Sequence, residues 1–173
     1  MNKIINAITS QNLGQKTEPF FEFGSSLNVS QISGGVAINI VPDKCEANID
    51  IRLLPSQTKD EILETIKSKI DELKISYNLE VLQYEQAYLT DSKNSFVKIL
   101  KNNASEVLKK EIPLVASGQG SVGNVVSKLE IPIINAFGVD SDNVHAPNEW
   151  ISIDTIPKIF EIYRKSLVEF SKV

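Results

Sequence analysis

Residues 34–52 read GGVAINIVPDKCEANIDIR, and the second half of this stretch sets the fold. Cys45, Ala47, Ile49, Ile51 and Leu53 alternate with Glu46, Asn48, Asp50 and Arg52, which is the period of a strand with one buried and one polar face. Pro42-Asp43 makes the turn before it, Pro fixing φ and Asp offering a local hydrogen bond. Upstream, residues 27–41 read as a companion strand interrupted by Gly34-Gly35. Downstream, Pro55 and Ser56 close the strand, and Thr58-x-x-Glu61 forms a capping box for a helix whose apolar stripe is Ile62, Leu63, Ile66, Ile70 and Leu73. Residues 79–84 read again as strand and residues 14–26 as loop. Residues 3–11 read as a short helix with Ile4, Ile5, Ala7 and Ile8 on one side. The order helix, strand, strand, helix, strand predicts a small α+β sandwich, βαββαβ without its opening strand.

The second half has another rhythm. Residues 95–109 carry Phe96, Val97, Leu100, Ala104, Val107 and Leu108 at helical spacing, and residues 112–116 form a short apolar run. The glycine-rich SGQGSVGN at 117–124 leads into a short helix to Leu129, and residues 131–137 form a second apolar run. After the polar loop DSDNVHAPNE, Asp154 offers a cap for a last helix with Ile156, Phe160, Tyr163, Leu167 and Phe170 recurring along it. Strand, helix, strand, helix predicts parallel pairing. Two parallel strands make a poor sheet, so this half reads as a piece of a larger α/β domain.

Composition narrows the function. The chain has 173 residues, 42% hydrophobic and 23% charged, with a formal net charge of -4. No apolar run approaches the roughly 20 residues of a membrane-spanning helix, and no secretory h-region is evident. The lone cysteine, Cys45, fits a reducing, cytoplasmic setting. The acidic balance argues against nucleic-acid binding, which needs a concentrated basic face. With one histidine, His145, the chain cannot build a His- or Cys-rich metal site by itself.

Four features carry possible chemistry. Gly118-Gln-Gly120-Ser-Val-Gly123 matches GxGxxG with Asp140 downstream, the dinucleotide pattern, but the helix after it is short and the remaining chain is too short for a dinucleotide-binding sheet. A tight turn, with or without an anion, is the other reading. His145 lies among Asp140, Asp142 and Glu149, as a surface histidine or as a metal ligand whose partners come from elsewhere. Arg52 is either half of a surface ion pair with Asp50 or a planar clamp for a carboxylate. Asn39, near Gly-Gly and before Val-Pro, reads as a turn residue.

Together, the stretch from Gly34-Gly35 through Asn39, Pro42-Asp43 and Asp50 to Arg52 resembles the lid-domain signature of the zinc-dependent aminoacylase and carboxypeptidase family, which includes acetylornithine deacetylase, succinyl-diaminopimelate desuccinylase and glutamate carboxypeptidase. Gly138 to Asp154, with Val-His145-Ala-Pro-Asn-Glu149, resembles its last metal-ligand motif, and Asn6-Ala7-Ile8 resembles the opening of its first lid helix. The resemblance implies a ferredoxin-like lid lacking its first strand over residues 1–90, which is the dimerisation domain. Residues 91–173 would then be the C-terminal part of an α/β catalytic domain.

By the same resemblance, His145 would be the distal ligand of a second zinc ion. Asn39 and Arg52 would reach the substrate carboxylate or oxyanion, often across a homodimer, and Gly118 and Gly120 would line the substrate pocket. Two zinc ions, with cobalt or manganese as substitutes, would activate a bridging water against an N-acyl amino acid or short peptide. The remaining ligands and the general-base glutamate are expected upstream of residue 1. The chain is therefore expected to be a C-terminal portion, inactive alone. Relatives usually carry Asp where this chain has Val122, which bears on the pocket. The alternative reading is a non-catalytic dimerisation or carboxylate-binding module derived from that family.

Overall fold

The computed structural model describes residues 1–11, 13, 19–21 and 24–172, so the loop expected over residues 14–26 lies in large part outside the described residues. The chain divides into two compact units, Met1–Tyr88 and Leu89–Val173. No helix among the described residues is long and apolar enough to cross a membrane.

In the first unit, strands β1 (Ser26–Gly34) and β2 (Cys45–Arg52) form an antiparallel hairpin, paired from Ser26↔Arg52 to Gly34↔Cys45. A register shift between Val29 and Gln31 leaves Ser30 as the extra residue, and its hydroxyl donates to the Asn48 carbonyl at 3.1 Å. The alternation read in β2 holds for Ala47, Ile49 and Ile51, which are half-buried, whereas Cys45 is exposed. β1 is shorter than expected. It stops at Gly34, where a Cβ would sit 2.6 Å from the Cys45 Cβ, and Gly35 then turns at φ +80°. Residues 35–44 are the connecting loop.

Helix α1 (Asn2–Thr9) and helix α2 (Lys59–Asp71) supply the rest of the core. The expected capping box is present: the Glu61 N–H donates to the Thr58 hydroxyl at 3.3 Å, and the Thr58 N–H donates to the Glu61 carboxylate at 2.9 Å. Ile62, Ile66 and Ile70 are buried with Ile8 and Leu13, and Leu27, Ile49, Ile51, Leu53, Tyr77 and Leu79 pack around them. Gln57 ties the edges. Its side chain accepts from Ser25 and from the Leu54 N–H and donates to the Leu13 carbonyl, while the Gln86 amide donates to its backbone carbonyl at 3.1 Å. Residues 79–84, expected as a strand, join no ladder. Leu79 reaches the core by its side chain alone, because alternation encodes two faces but not a pairing partner.

In the second unit, helix α3 (Ser95–Leu108) is capped by Asn94, whose side chain accepts from the Phe96 N–H at 2.9 Å. Its stripe packs on helix α5 (Ile156–Phe170) through Leu100, Ala104 and Ile162. A polar seam runs beside this contact: the Asn103 amide donates to the Ser166 hydroxyl at 3.3 Å and to Glu169 at 3.0 Å, and Lys165 pairs with Glu106 at 2.7 Å. The stripe expected on α5 is not the buried one. Ile156, Phe160, Tyr163, Leu167 and Phe170 are all exposed, while Ile162 and Ser166 are buried and Ile159 half-buried. The helix has two apolar faces, and the small side chain of Ala104 admits the one bearing Ile162. Tyr163 and Phe170 still make edge-on ring contacts, with Phe137 and Phe96 respectively.

The runs at 112–116 and 131–137 are likewise outside any ladder, so the expected parallel pairing is absent among the described residues. At Ile133 the carbonyl accepts from the Thr90 hydroxyl at 2.7 Å and the N–H donates to the same oxygen at 3.0 Å. One side chain satisfies the backbone groups that a neighbouring strand would use. Helix α4 (Gly123–Val126) and a 3₁₀ turn (Ser127–Leu129) follow the glycine-rich segment. Strands β3 (Ser141–Asp142) and β4 (Trp150–Ile151) form a minimal antiparallel pair. Asp154 does not cap α5: it lies in a 3₁₀ turn (Ile153–Thr155), and Thr155 precedes the helix.

Thr58→Ala should lower unfolding stability by about 1 kcal/mol, the usual cost of a lost N-cap, measured by urea denaturation. The Thr58 backbone N–H, and after it the Thr58 side chain, hold the Glu61 carboxyl below the usual carboxylate range. A depressed folded pKa contributes stability that is present above the unfolded value and lost as pH falls through the folded one. Glu61→Gln should therefore flatten the acid side of a Tm-versus-pH curve, and an unchanged slope would remove this contribution. Ile162→Ala, at a position with no exposed surface, should cost about 2–5 kcal/mol.

Candidate functional site

Asn39 and Arg52 occupy opposite ends of the hairpin. The loop 35–44 is bent by one turn, with the Ile40 N–H donating to the Ala37 carbonyl at 3.2 Å, and Asn39 is exposed within it. Its neighbours Val36, Ile38 and Val41 are almost wholly exposed, so nothing in this unit covers the loop among the described residues. Arg52 stands at the anchored end, opposite Ser26. Its Nε donates to the Asp50 carboxylate at 2.7 Å, and both side chains are about half exposed, 50% and 51%. Screening by solvent makes this pair a small term in stability. Its chemical effect is to orient the guanidinium, whose remaining N–H groups form a planar fork suited to a carboxylate. Arg52 lies seven residue steps along the strand from Cys45, about 24 Å at the usual rise. The structure does not bring Asn39 and Arg52 of one chain together.

Gly118 and Gly120 lie on an exposed, irregular segment. The amides around them are engaged by local side chains. The Gln119 N–H donates to the Ser117 hydroxyl at 3.3 Å, the Ser121 N–H to the Asn124 side chain at 2.9 Å, and the Gly123 N–H to the Ser121 hydroxyl at 3.0 Å. The helix that follows has four residues. These features overturn the dinucleotide reading of GxGxxG, since a pyrophosphate cradle needs free amides at the start of a long helix. Val122, at the start of this helix, is 76% exposed.

His145 belongs to the connection between β3 and β4, where Asn143, His145 and Asn148 all have left-handed backbone, at φ 58°, 64° and 63°. Three such residues in six positions are unusual, although Asn and His tolerate the region better than most. Hydrogen bonds hold the loop. The Asn143 N–H donates to Asp142 at 2.8 Å, the Ala146 N–H to the Asn143 carbonyl at 2.9 Å, and the His145 N–H to the Glu149 carboxylate at 3.4 Å. Its base is closed by the Ser152 N–H on the Asp140 carbonyl at 2.8 Å and by the Asp140 N–H on the Thr155 hydroxyl at 3.2 Å. His145 itself is exposed.

Asp142 and Glu149 are occupied by loop amides, and among the described residues no three His, Cys, Asp or Glu side chains come together as a metal site. The donor set does not fit a two-metal centre, and His145 supplies one ligand at most. Thr155 ties the loop to α5, and the one sequence signal for it is a threonine just before a helical run. The role of Glu149 as an amide acceptor had no such signal.

Residues 1–78 match the peptidase dimerisation domain of the M20 family. Among curated proteins, an uncharacterized metallohydrolase of Methanococcus maripaludis is 29% identical, the match covering 73% of this chain and 34% of that protein. A succinyl-diaminopimelate desuccinylase of Marinobacter nauticus is 24% identical over 84% of this chain and 38% of its own. The chain thus spans little more than a third of the length of these relatives. Among solved structures, aminopeptidase PepT from Bacillus cereus matches with a TM-score of 0.73 at 22% identity, covering 98% of this chain and 45% of that one. An M20 family metallo-carboxypeptidase from Sulfolobus solfataricus matches with a TM-score of 0.65 at 24% identity, over 95% and 37% of the two chains. These structures share a mixed α+β fold with this chain. The first 78 residues match the dimerisation domain of the M20 peptidases, and the chain is similar along most of its length to metallohydrolases and desuccinylases.

Proposed function

We propose that this chain is the lid and the C-terminal catalytic segment of a metal-dependent amide hydrolase that removes an acyl group from an N-acyl amino acid or cleaves a short peptide. The match of residues 1–78 to a peptidase dimerisation domain, with similarity to metallohydrolases and desuccinylases along most of the chain, is the observation that carries this reading. Residues 1–90 are then a ferredoxin-like lid lacking its first strand, and residues 91–173 are the C-terminal part of an α/β catalytic domain. His145 is one zinc ligand, Arg52 and Asn39 contact the substrate carboxylate or oxyanion, and Gly118 and Gly120 line the pocket. The exposed loop supports the role of Asn39, because a side chain that its own unit leaves uncovered is free to serve a neighbour. The half-exposed Arg52, oriented by Asp50, is suited to a carboxylate.

The zinc ions of such an enzyme, with cobalt or manganese as substitutes, supply a Lewis acid and an activated water when bound. The donors described in this chain do not make that site, so hydrolysis is assigned to a complete protein and not to these 173 residues. With excess Zn²⁺, the isolated chain should hydrolyse N-acetyl and N-succinyl amino acids no faster than buffer. The intact mass of the native product should be near twice this chain's 19.2 kDa. In that product, Arg52→Ala should lower kcat/KM about tenfold or more, the loss of a charge-assisted bond. Unchanged kinetics would reduce Arg52 to a surface ion pair.

The incomplete donor set favours one other reading, a non-catalytic dimerisation or carboxylate-binding module. It predicts a native mass near 19.2 kDa and a stability indifferent to zinc. Both readings make the lid a homodimer. A dimerisation domain with a two-stranded sheet has open edges to pair, and symmetric pairing of identical edges is the simplest closed arrangement. Sedimentation equilibrium should give twice the chain mass at micromolar concentration. A monomer at every concentration tested would overturn the assignment.

A further inference from the structure

We draw no further inference here: the strongest candidate, the apolar outer face of helix α5 formed by Ile156, Phe160 and Leu167, is exposed and unpartnered, and nothing in the structure shows what covers it.

Discussion

The hairpin of the first unit depends on one buried cluster, Ile8 and Leu13 with the isoleucines of α2, against which Leu27, Ile49 and Ile51 pack. Two strands alone are marginal in water, because half of their side chains have nothing to bury against. Ile62, Ile66 and Ile70 supply the missing layer, each contributing about 1.5–3 kcal/mol of burial. The capping box fixes where α2 begins, and the side chain of Gln57, just before it, joins the Leu54 N–H to the Leu13 carbonyl, while its own backbone carbonyl accepts from the Gln86 side chain. The cover ends near the bulge at Ser30. Beyond it, Gln31 to Gly34 are exposed on both faces, and so is the loop that follows. Arg52 is consequently held on the rigid end and Asn39 carried on the free one, which suits a binding residue that must be fixed and another that must reach.

Sequence periodicity was informative wherever local chemistry and burial agree. The face of β2, the capping box at Thr58 and Glu61, the stripe of α2 and the course of α3 could all be read directly, since each needs only residues within a few positions of one another. Pairing could not. Residues 131–137 carry the composition of a buried strand, but whether such a run enters a ladder depends on what satisfies its amides, and Thr90, more than 40 positions away, does so for Ile133. Helix α5 shows a second kind of ambiguity. Two apolar stripes run along it, and the choice between them rests on a small side chain of another helix, Ala104. Sequence reading favours the larger side chains, whereas packing selects the face that allows close approach.

The same division applies to the candidate site. Asn39, Arg52, Gly118, Gly120 and His145 could be named from motifs, because residue identity and spacing are what motifs record. Their environments were not legible. The amides of the glycine-rich turn look free in the sequence, but Ser117, Ser121 and Asn124 are positioned to take them. The sequence assigns no role to the acidic residues around His145, and in the structure Asp142 and Glu149 accept from loop amides. In both places short polar side chains compete for the backbone, which is their common behaviour in turns.

That competition gives the His145 loop its character. A left-handed non-glycine residue costs on the order of 1 kcal/mol, and three of them persist only where other contacts over-determine the path. Here the contacts are the Asp142 and Glu149 carboxylates within the loop and Thr155 at its base. The imidazole is thus presented to solvent by an ordered backbone and not by packing of its own ring. Order of this kind serves a ligand, because a side chain whose backbone is already fixed loses less entropy on coordination. One imidazole nevertheless supplies one bond of the four that zinc requires. Asp142 and Glu149 each give one carboxylate oxygen to a loop amide, and those bonds help to keep the loop in place. On the proposed reading, His145 joins a metal centre whose other ligands stand on separate segments.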